Sequence, residues 1–324
     1  MIELKNKFAI GCLAQWYEVE VIGEYIDSIK QSLEQISNKD NVIVDLYVNL
    51  SQELEQLEDN TSLDNIADRF YIIEKGLRNK GYVVNVEYKL ESIYTIADYR
   101  RDFNKRYCEV TDVLMWGETD ALIPKQTFEI KDNLHESVHQ QTPKYVATFG
   151  ICKMWDESWK VIEHTEFTDK PFIEDDYDNW WSLKYTMTLD EMNSFNDKVG
   201  ELDVRVLNNF KFNGCGLIFS SDVVRCGVNI PESVFFVHED TAFQNFMIAL
   251  YGNTIPQYVI KNVLIVHNRN HPDKRMYVKG ETGETMNMKR RSNDWYVKAN
   301  QMSEHNAYNF MNQKKMFTWE DVYE

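Results

Sequence analysis

Apolar residues along this chain fall into two alternating rhythms. Phe8-Ala9-Ile10-Gly11-Cys12-Leu13-Ala14 is a continuous apolar run, which suits a strand buried on both faces of a parallel sheet. From Val19 to Ile36 the residues Val19, Ile22, Ile26, Ile29, Leu33 and Ile36 recur every three or four positions and predict an amphipathic helix. A second strand is expected at Val42–Val48, a helix from Leu63 to Arg78 closed by Gly81, and a third strand at Tyr82–Tyr88. A helical stretch carrying Ala97, Arg100, Arg101, Asn104 and Tyr107 then runs into a fourth strand, Val113-Leu114-Met115-Trp116. Strands alternating with helices imply a mostly parallel sheet with right-handed crossovers, which presents ligands at the carboxyl ends of its strands.

After Ala121 the rhythm weakens. Gln126–His139 reads as a helix and Tyr145–Met154 as a strand, whereas residues 155–203, rich in acids and tryptophan, read as loops and an insertion. A glycine-opened strand is expected at 213–219, a helix at Asp240–Tyr251 and a last strand at Val263–Val266. Beyond Gly280 the chain is polar and basic. The expected division is a catalytic body at 1–278 and a basic, helical extension at 279–324.

Composition narrows the class. The 324 residues accommodate one large or two moderate domains; 43% hydrophobic and 27% charged residues, with six Pro and thirteen Gly, exclude a disordered or collagen-like chain. No apolar run reaches the roughly 18–20 residues that span a bilayer, and Met1–Lys5 lacks the features of a signal peptide, so a cytoplasmic protein without membrane insertion is expected. Five cysteines without a CxxC pair read as reduced core thiols. The net charge of −17 disfavours general attraction to phosphate backbones, but residues 261–300 carry nine basic against four acidic residues, leaving −22 elsewhere.

Three segments can carry chemistry, and each follows an apolar run. Glu118-Thr119-Asp120 follows the fourth strand, where two carboxylates one residue apart on extended chain point the same way and can grip a hard divalent cation. Taken alone, an acid-x-acid triplet is also an ordinary solvated turn. Glu239-Asp240 opens a helix, either as a cap favoured by the helix dipole or as a general base. His267 leaves the last strand as a metal-ligand candidate, and Lys274 and Arg275 behind it can bind phosphate oxygens.

In their order and spacing these segments resemble the nucleotide-sugar glycosyltransferases of GT-A fold, particularly the family-2-like group. The resemblance spans about residues 8–275 and implies a Rossmann-like α/β body, a mostly parallel central sheet flanked by helices, with a C-terminal extension. It implies metal-dependent transfer of a hexose or pentose from a nucleotide-diphosphate sugar, UDP- or GDP-linked, with inversion favoured. The expected acceptor is a hydroxyl, on a glycan or, from the charge of the tail alone, on a hydroxymethylated base in DNA. The cofactor is Mn2+ or Mg2+. Glu118-Thr119-Asp120 is a variant of the commoner Asp-x-Asp, with Asp120 the direct metal ligand and Glu118 and His267 beside it. Asp240, with Glu239, supplies the base. Arg100 and Asn104 loosely match the polar residues that touch the nucleotide in many relatives; Thr119 is expected on the nucleotide too, and His271, Lys274 and Arg275 on its phosphates.

Gln15, Trp16, Tyr17 and Glu18, at the end of the first strand, would lie against the nucleobase and ribose; helix-entry packing is the other reading of the two aromatics. Asp45, alone in the second strand, either accepts from a nucleobase or holds a core hydrogen bond. Trp180 and Trp181, beside Glu174-Asp175-Asp176, form either an acceptor platform or part of a tryptophan-filled core. Arg290 and Arg291, near Trp295 and Tyr296, carry the DNA-acceptor idea. Two rival classes remain. A sugar nucleotidyltransferase normally has a glycine- and arginine-rich loop where this chain has Gly11-Cys12-Leu13-Ala14-Gln15-Trp16. A non-catalytic sugar- or nucleotide-binding module would be indifferent to loss of Asp120 or Asp240.

Overall fold

The first strand, β1 (Phe8–Gln15), is buried along its whole apolar length and lies in the middle of the main sheet. The computed structural model describes residues 1–52, 55–57, 62–90, 94–151, 188–207, 214–267, 288–290, 293–312, 316 and 318. The strands that follow are β2 (Val42–Asn49), β3 (Glu55–Leu57), β4 (Val83–Lys89), β5 (Val113–Trp116), β6 (Ala121–Leu122), β7 (Val146–Ile151), β8 (Val204–Leu207), β9 (Ile218–Ser220), β10 (Gln257–His267) and β11 (Met288–Arg290). The helices are α1 (Ile22–Glu34), α2 (Leu63–Asn79), α3 (Ile96–Tyr107), α4 (Thr127–Val138), α5 (Leu189–Asn196), α6 (Ser221–Arg225), α7 (Glu239–Tyr251) and α8 (Asn293–Asn309).

Among the described residues the sheet order is β4-β2-β1-β5-β9-β7-β10-β6, with β8 also on β10. β4, β2, β1 and β5 run parallel, as do β7 and β10; β9, β6 and β8 run antiparallel to their neighbours. This is the expected mostly parallel α/β architecture. Crossover helices cover the sheet because parallel strands cannot be joined by tight turns. β3 and β11 form a separate antiparallel pair.

The expected first-half elements form within a few residues of their predicted ends, and the second half departs further. The helix expected from Val19 begins at Ile22, because Trp16–Glu18 first make a 3-10 turn. β10 runs from Gln257, not Val263: polar Lys261 and Asn262 sit where its register with β7 shifts between Ile260 and Leu264, so the apolar pattern breaks while the strand continues. The stretch read as loops contains α5, whose Thr188 accepts from Glu191 N while the Glu191 carboxylate accepts from Thr188 N. That capping box was the available signal. β8 and α6 were not anticipated.

The last helix packs on α7. Ala299, Met302 and Ala307 are buried, the buried Ser303 Oγ accepts Phe236 N at 3.0 Å, and Asn245 donates to Ala307 O at 3.0 Å. No helix among the described residues is long and apolar enough to cross a membrane.

One core residue breaks the binary pattern. Lys131 of α4 is fully buried, with its ammonium 5.0 Å from the Phe8 ring, 4.9 Å from the Phe128 ring and 3.8 Å from Met115 Sδ. Two aromatic faces are a weak substitute for water, and burial pushes its pKa down to about 7. Below about pH 7 the folded and unfolded chains both carry the proton, and the cost of burial is felt in full. Between there and the ordinary lysine value the unfolded chain binds more protons, so stability rises with pH. Lys131→Met is therefore expected to raise the unfolding free energy at pH 7, read from urea titration, by on the order of 4 kcal/mol at most. Its advantage over wild type should shrink at pH 9.5; a gap that ignores pH would show that this amine does not titrate there.

Candidate functional site

β2 and β4 lie on one side of β1, and β5 on the other, so the strand order reverses between β1 and β5. A crevice at the carboxyl ends of such a pair is the usual ligand position in an open α/β sheet. The loops that leave it, Gln15–Glu18 and Gly117–Asp120, are the first and second groups of predicted site residues, and they touch. Thr119 Oγ1 donates to Glu18 Oε1 at 2.9 Å, while Glu18 Oε2 accepts Gln15 N at 3.0 Å. Gly117 N donates to Gly11 O at 2.6 Å, and a β-carbon on Gly117 would lie 2.0 Å from the Tyr25 hydroxyl. Only glycine lets the acid-bearing turn lie this close to α1.

Arg100, on α3, occupies the centre. Its guanidinium lies 4.8 Å from the centroid of the Trp116 ring and is 1% exposed. Nη2 donates to Glu118 Oε1 at 2.8 Å and to Gly214 O at 3.1 Å; Nη1 donates to Glu239 Oε1. Burial works against the charged form, but Glu239 and then Glu118 hold the guanidinium protonated, above its ordinary value. The neighbouring Arg101 binds the carbonyls of Ile230, Pro231 and Val234, the segment that leads into α7. One turn of α3 thus grips both the approach to α7 and its first residue.

α7 starts from His238, whose φ of 63° is left-handed, a conformation that costs a β-substituted residue about 1 kcal/mol or more. Glu239 is buried, and Asp240 half-buried. Asp240 Oδ2 accepts Gly214 N at 3.0 Å and Oδ1 accepts Thr241 N at 2.6 Å. Burial raises both carboxyls above the ordinary range, and Arg100 offsets part of the rise. Gly214 therefore joins the two sides, its carbonyl on Arg100 and its amide on Asp240. Sequence reasoning had seen it only as a strand opener.

The site's field is acidic. The Cys12 thiol, beneath it in β1, is fully buried, and burial raises its pKa, with Glu18, Glu118 and Asp120 adding to the rise and Arg100 opposing it. That thiol is inert. Among the described residues no group of three or more His, Cys, Asp or Glu side chains is arranged to hold a metal. The pair Glu118 and Asp120 does suit the sparser mode in which Mg2+ or Mn2+ takes one or two carboxylates and completes its shell with phosphate and water oxygens. Glu118 already shares one oxygen with Arg100, and Asp120 is buried at 6% exposure.

Other predicted residues fall elsewhere. Asn104 is fully buried, accepting Trp116 Nε1 at 2.9 Å and donating to Asn229 at 2.9 Å, so it braces β5 from within the core. Asp45 takes the core reading: Tyr99, Tyr107, Asn85 and Arg106 all donate to it. Arg100, expected on the nucleotide, spends its terminal nitrogens on the protein. Trp16 is buried with its ring edge-on to Tyr17, leaving Gln15, Tyr17 and Glu18 partly open. The His267 backbone pairs with Ala121, beside the acid turn. Trp180, Trp181, His271, Lys274, Arg275 and Arg291 lie outside the described residues.

No family model matches the chain. The curated proteins likewise give no match. Among solved structures it is similar to S. aureus TarS 1-349, with TM-score 0.48 and 13% identity over 96% of this chain and 76% of that one. The same protein in complex with UDP-GlcNAc gives 0.47 and 11% over 96% and 76%. Glucosyl-3-phosphoglycerate synthase from Mycobacterium tuberculosis, in complex with Mn2+, UDP-Glc and phosphoglyceric acid, gives 0.44 and 9% over 96% and 82%. Likeness at this level is a loosely shared chain trace, and the chemistry rests on the residues themselves.

The Gly214 junction has a direct test. A β-carbon there would lie 1.8 Å from Arg100 Nη1, whereas one on Gly200 meets nothing within 4 Å. Gly214→Ala should lower the unfolding free energy, read from urea titration, by the roughly 1–3 kcal/mol typical of overpacking, with Gly200→Ala close to neutral. Equal effects at the two positions would contradict the contact.

Proposed function

We propose that the chain is a metal-dependent glycosyltransferase that moves a sugar from a nucleotide-diphosphate donor to a hydroxyl acceptor. The observation that carries this reading is the convergence of the acid turn after β5 and the Glu239–Asp240 start of α7 on one buried guanidinium, at the carboxyl end of the sheet's switch point. The donor's nucleoside lies against Gln15, Tyr17 and Glu18, with Thr119 orienting Glu18. Asp120, with Glu118, would hold a Mg2+ or Mn2+ ion, whose contribution is to neutralise the charge that develops on the departing diphosphate. His271, Lys274 and Arg275, in the basic stretch of the sequence, are the assigned phosphate contacts.

Asp240 acts as the general base. An acceptor hydroxyl oxygen bonds to the anomeric carbon as the bond from that carbon to the diphosphate oxygen breaks, and the hydroxyl proton passes to the Asp240 carboxylate. A single displacement of this kind inverts the sugar. The backbone amides of Gly214 and Thr241 aim Asp240 without neutralising it. Burial raises its pKa, which makes it a stronger base than an exposed aspartate. The acceptor is a glycan or a hydroxymethylated base.

The experiment is a thermal-shift panel of UDP, GDP, CDP and TDP, each with Mn2+, Mg2+ or chelator, on wild type, Asp120→Ala and Asp240→Asn. A ligand at a hundred times its dissociation constant adds about 2.7 kcal/mol of stability. One nucleotide should stabilise wild type only with metal, should fail on Asp120→Ala, and should still stabilise Asp240→Asn. In sugar-transfer assays Asp240→Asn should lose about 10²- to 10⁴-fold in kcat. Silence toward every nucleotide would sink the donor-site assignment. Retained stabilisation without any turnover in wild type would favour a binding module.

A further inference from the structure

Arg100 departs from the role that its place in the sequence suggested. Its two terminal nitrogens are taken by Glu118, Gly214 O and Glu239, its face lies over Trp116, and it is 1% exposed. Nε has no hydrogen-bond partner and is itself buried. The guanidinium is thus taken up by protein groups. The two carboxylates that it holds come from the two halves of the proposed site, one from the turn after β5 and one from the start of α7.

We propose that Arg100 is a positioning residue, which locks Glu118 and Glu239 in place so that Asp240 is the carboxylate left to receive the acceptor's proton. This inference rests on the glycosyltransferase reading for its kinetic consequences but not for its structural ones. Glu239 and Asp240 are adjacent, and composition alone cannot say which is the base. Glu239 is tied into an ion pair, one of its oxygens accepting directly from Arg100 Nη1. Asp240 accepts from the peptide N–H groups of Gly214 and Thr241 and from Thr241 Oγ1 at 3.4 Å, neutral donors that orient it and leave its charge in place. Gly214 ties the two together, because the peptide that accepts from Arg100 also donates to Asp240. Lysine cannot reproduce this arrangement, since a single ammonium lacks the planar fork that reaches both acids.

The test has a kinetic and a structural arm. With a nucleotide sugar that wild type uses, Arg100→Lys should lose about a hundredfold in kcat, the cost of roughly 1 Å of misplacement, while KM for the donor stays within about threefold. A raised donor KM with kcat unchanged would overturn the proposal and return Arg100 to the nucleotide. Glu239→Gln should keep far more activity than Asp240→Asn and retain the acid limb of the pH–rate profile; the reverse ranking would make Glu239 the base and also overturn it.

The structural arm needs no substrate. Urea unfolding of Arg100→Met, Glu239→Gln and the double variant should show strong coupling, the second substitution restoring much of the midpoint lost by the first, because the buried acid no longer lacks a counter-charge. Additive effects would refute the lock. Should Arg100→Met not fold, Arg100→Lys with and without Glu239→Gln supplies the same cycle. If wild type transfers no sugar from any donor, the function reading fails by itself, and the unfolding cycle still decides the role of Arg100.

Discussion

A guanidinium at 1% exposure is intolerable unless anions and carbonyls replace its water, and the geometry around Arg100 follows from that constraint. The replacements come from distant parts of the sequence: Glu118 after β5, Gly214 before β9 and Glu239 at the start of α7. Each is thereby fixed relative to α3. Trp116 closes the underside, and Asn104 in turn fixes the Trp116 indole, so the side chain that carries the charge rests on an aromatic held from its far edge. The sheet's hydrogen-bond ladder ends at Trp116 and does not itself reach α7; side chains of α3 make that connection.

The charge balance around this centre has a consequence for what can bind. Glu118, Glu239 and Asp240 act on Arg100, and Glu18 and Asp120 join Glu118 and Arg100 around the Cys12 thiol beneath. A doubly charged diphosphate is repelled by such a cluster unless positive charge accompanies it. Two sources are chemically available: a divalent ion taken up by Asp120 and Glu118, and the basic stretch between residues 261 and 300. The acidic site and the locally basic sequence are therefore complementary.

The fold was legible where burial is two-sided. β1, β2 and β5 are continuous apolar runs because helices cover both faces of the sheet, and the helices between them repeat at 3.6 residues because only one face is covered. Legibility failed where a tertiary contact interrupts the pattern. Lys261 and Asn262 hid the first half of β10 at its irregular register with β7, and the eight-residue α5 is too short for periodicity to outweigh its acidic surroundings, although its Thr188–Glu191 cap was readable.

In the candidate site, the acids that the structure brings together were legible in the sequence, and the partners of its buried polar residues were not. Sequence can say that a polar residue falls on a buried face, but not whether the partner waiting there is a ligand or another side chain. Asp45 and Asn104 were both of this kind, and both found protein partners: tyrosines and an arginine for one, an indole and an asparagine for the other. Arg100 differs in what its partners are. A buried polar group satisfied by neutral core atoms stabilises the fold, whereas one satisfied by two carboxylates at the mouth of a crevice sets the charge and the angles of groups that remain within reach of solvent. Glu118 keeps a quarter of its side-chain surface, and Asp240 is only half-buried. The same burial that removes Arg100 from contact with a ligand is what lets it dictate how those acids meet one.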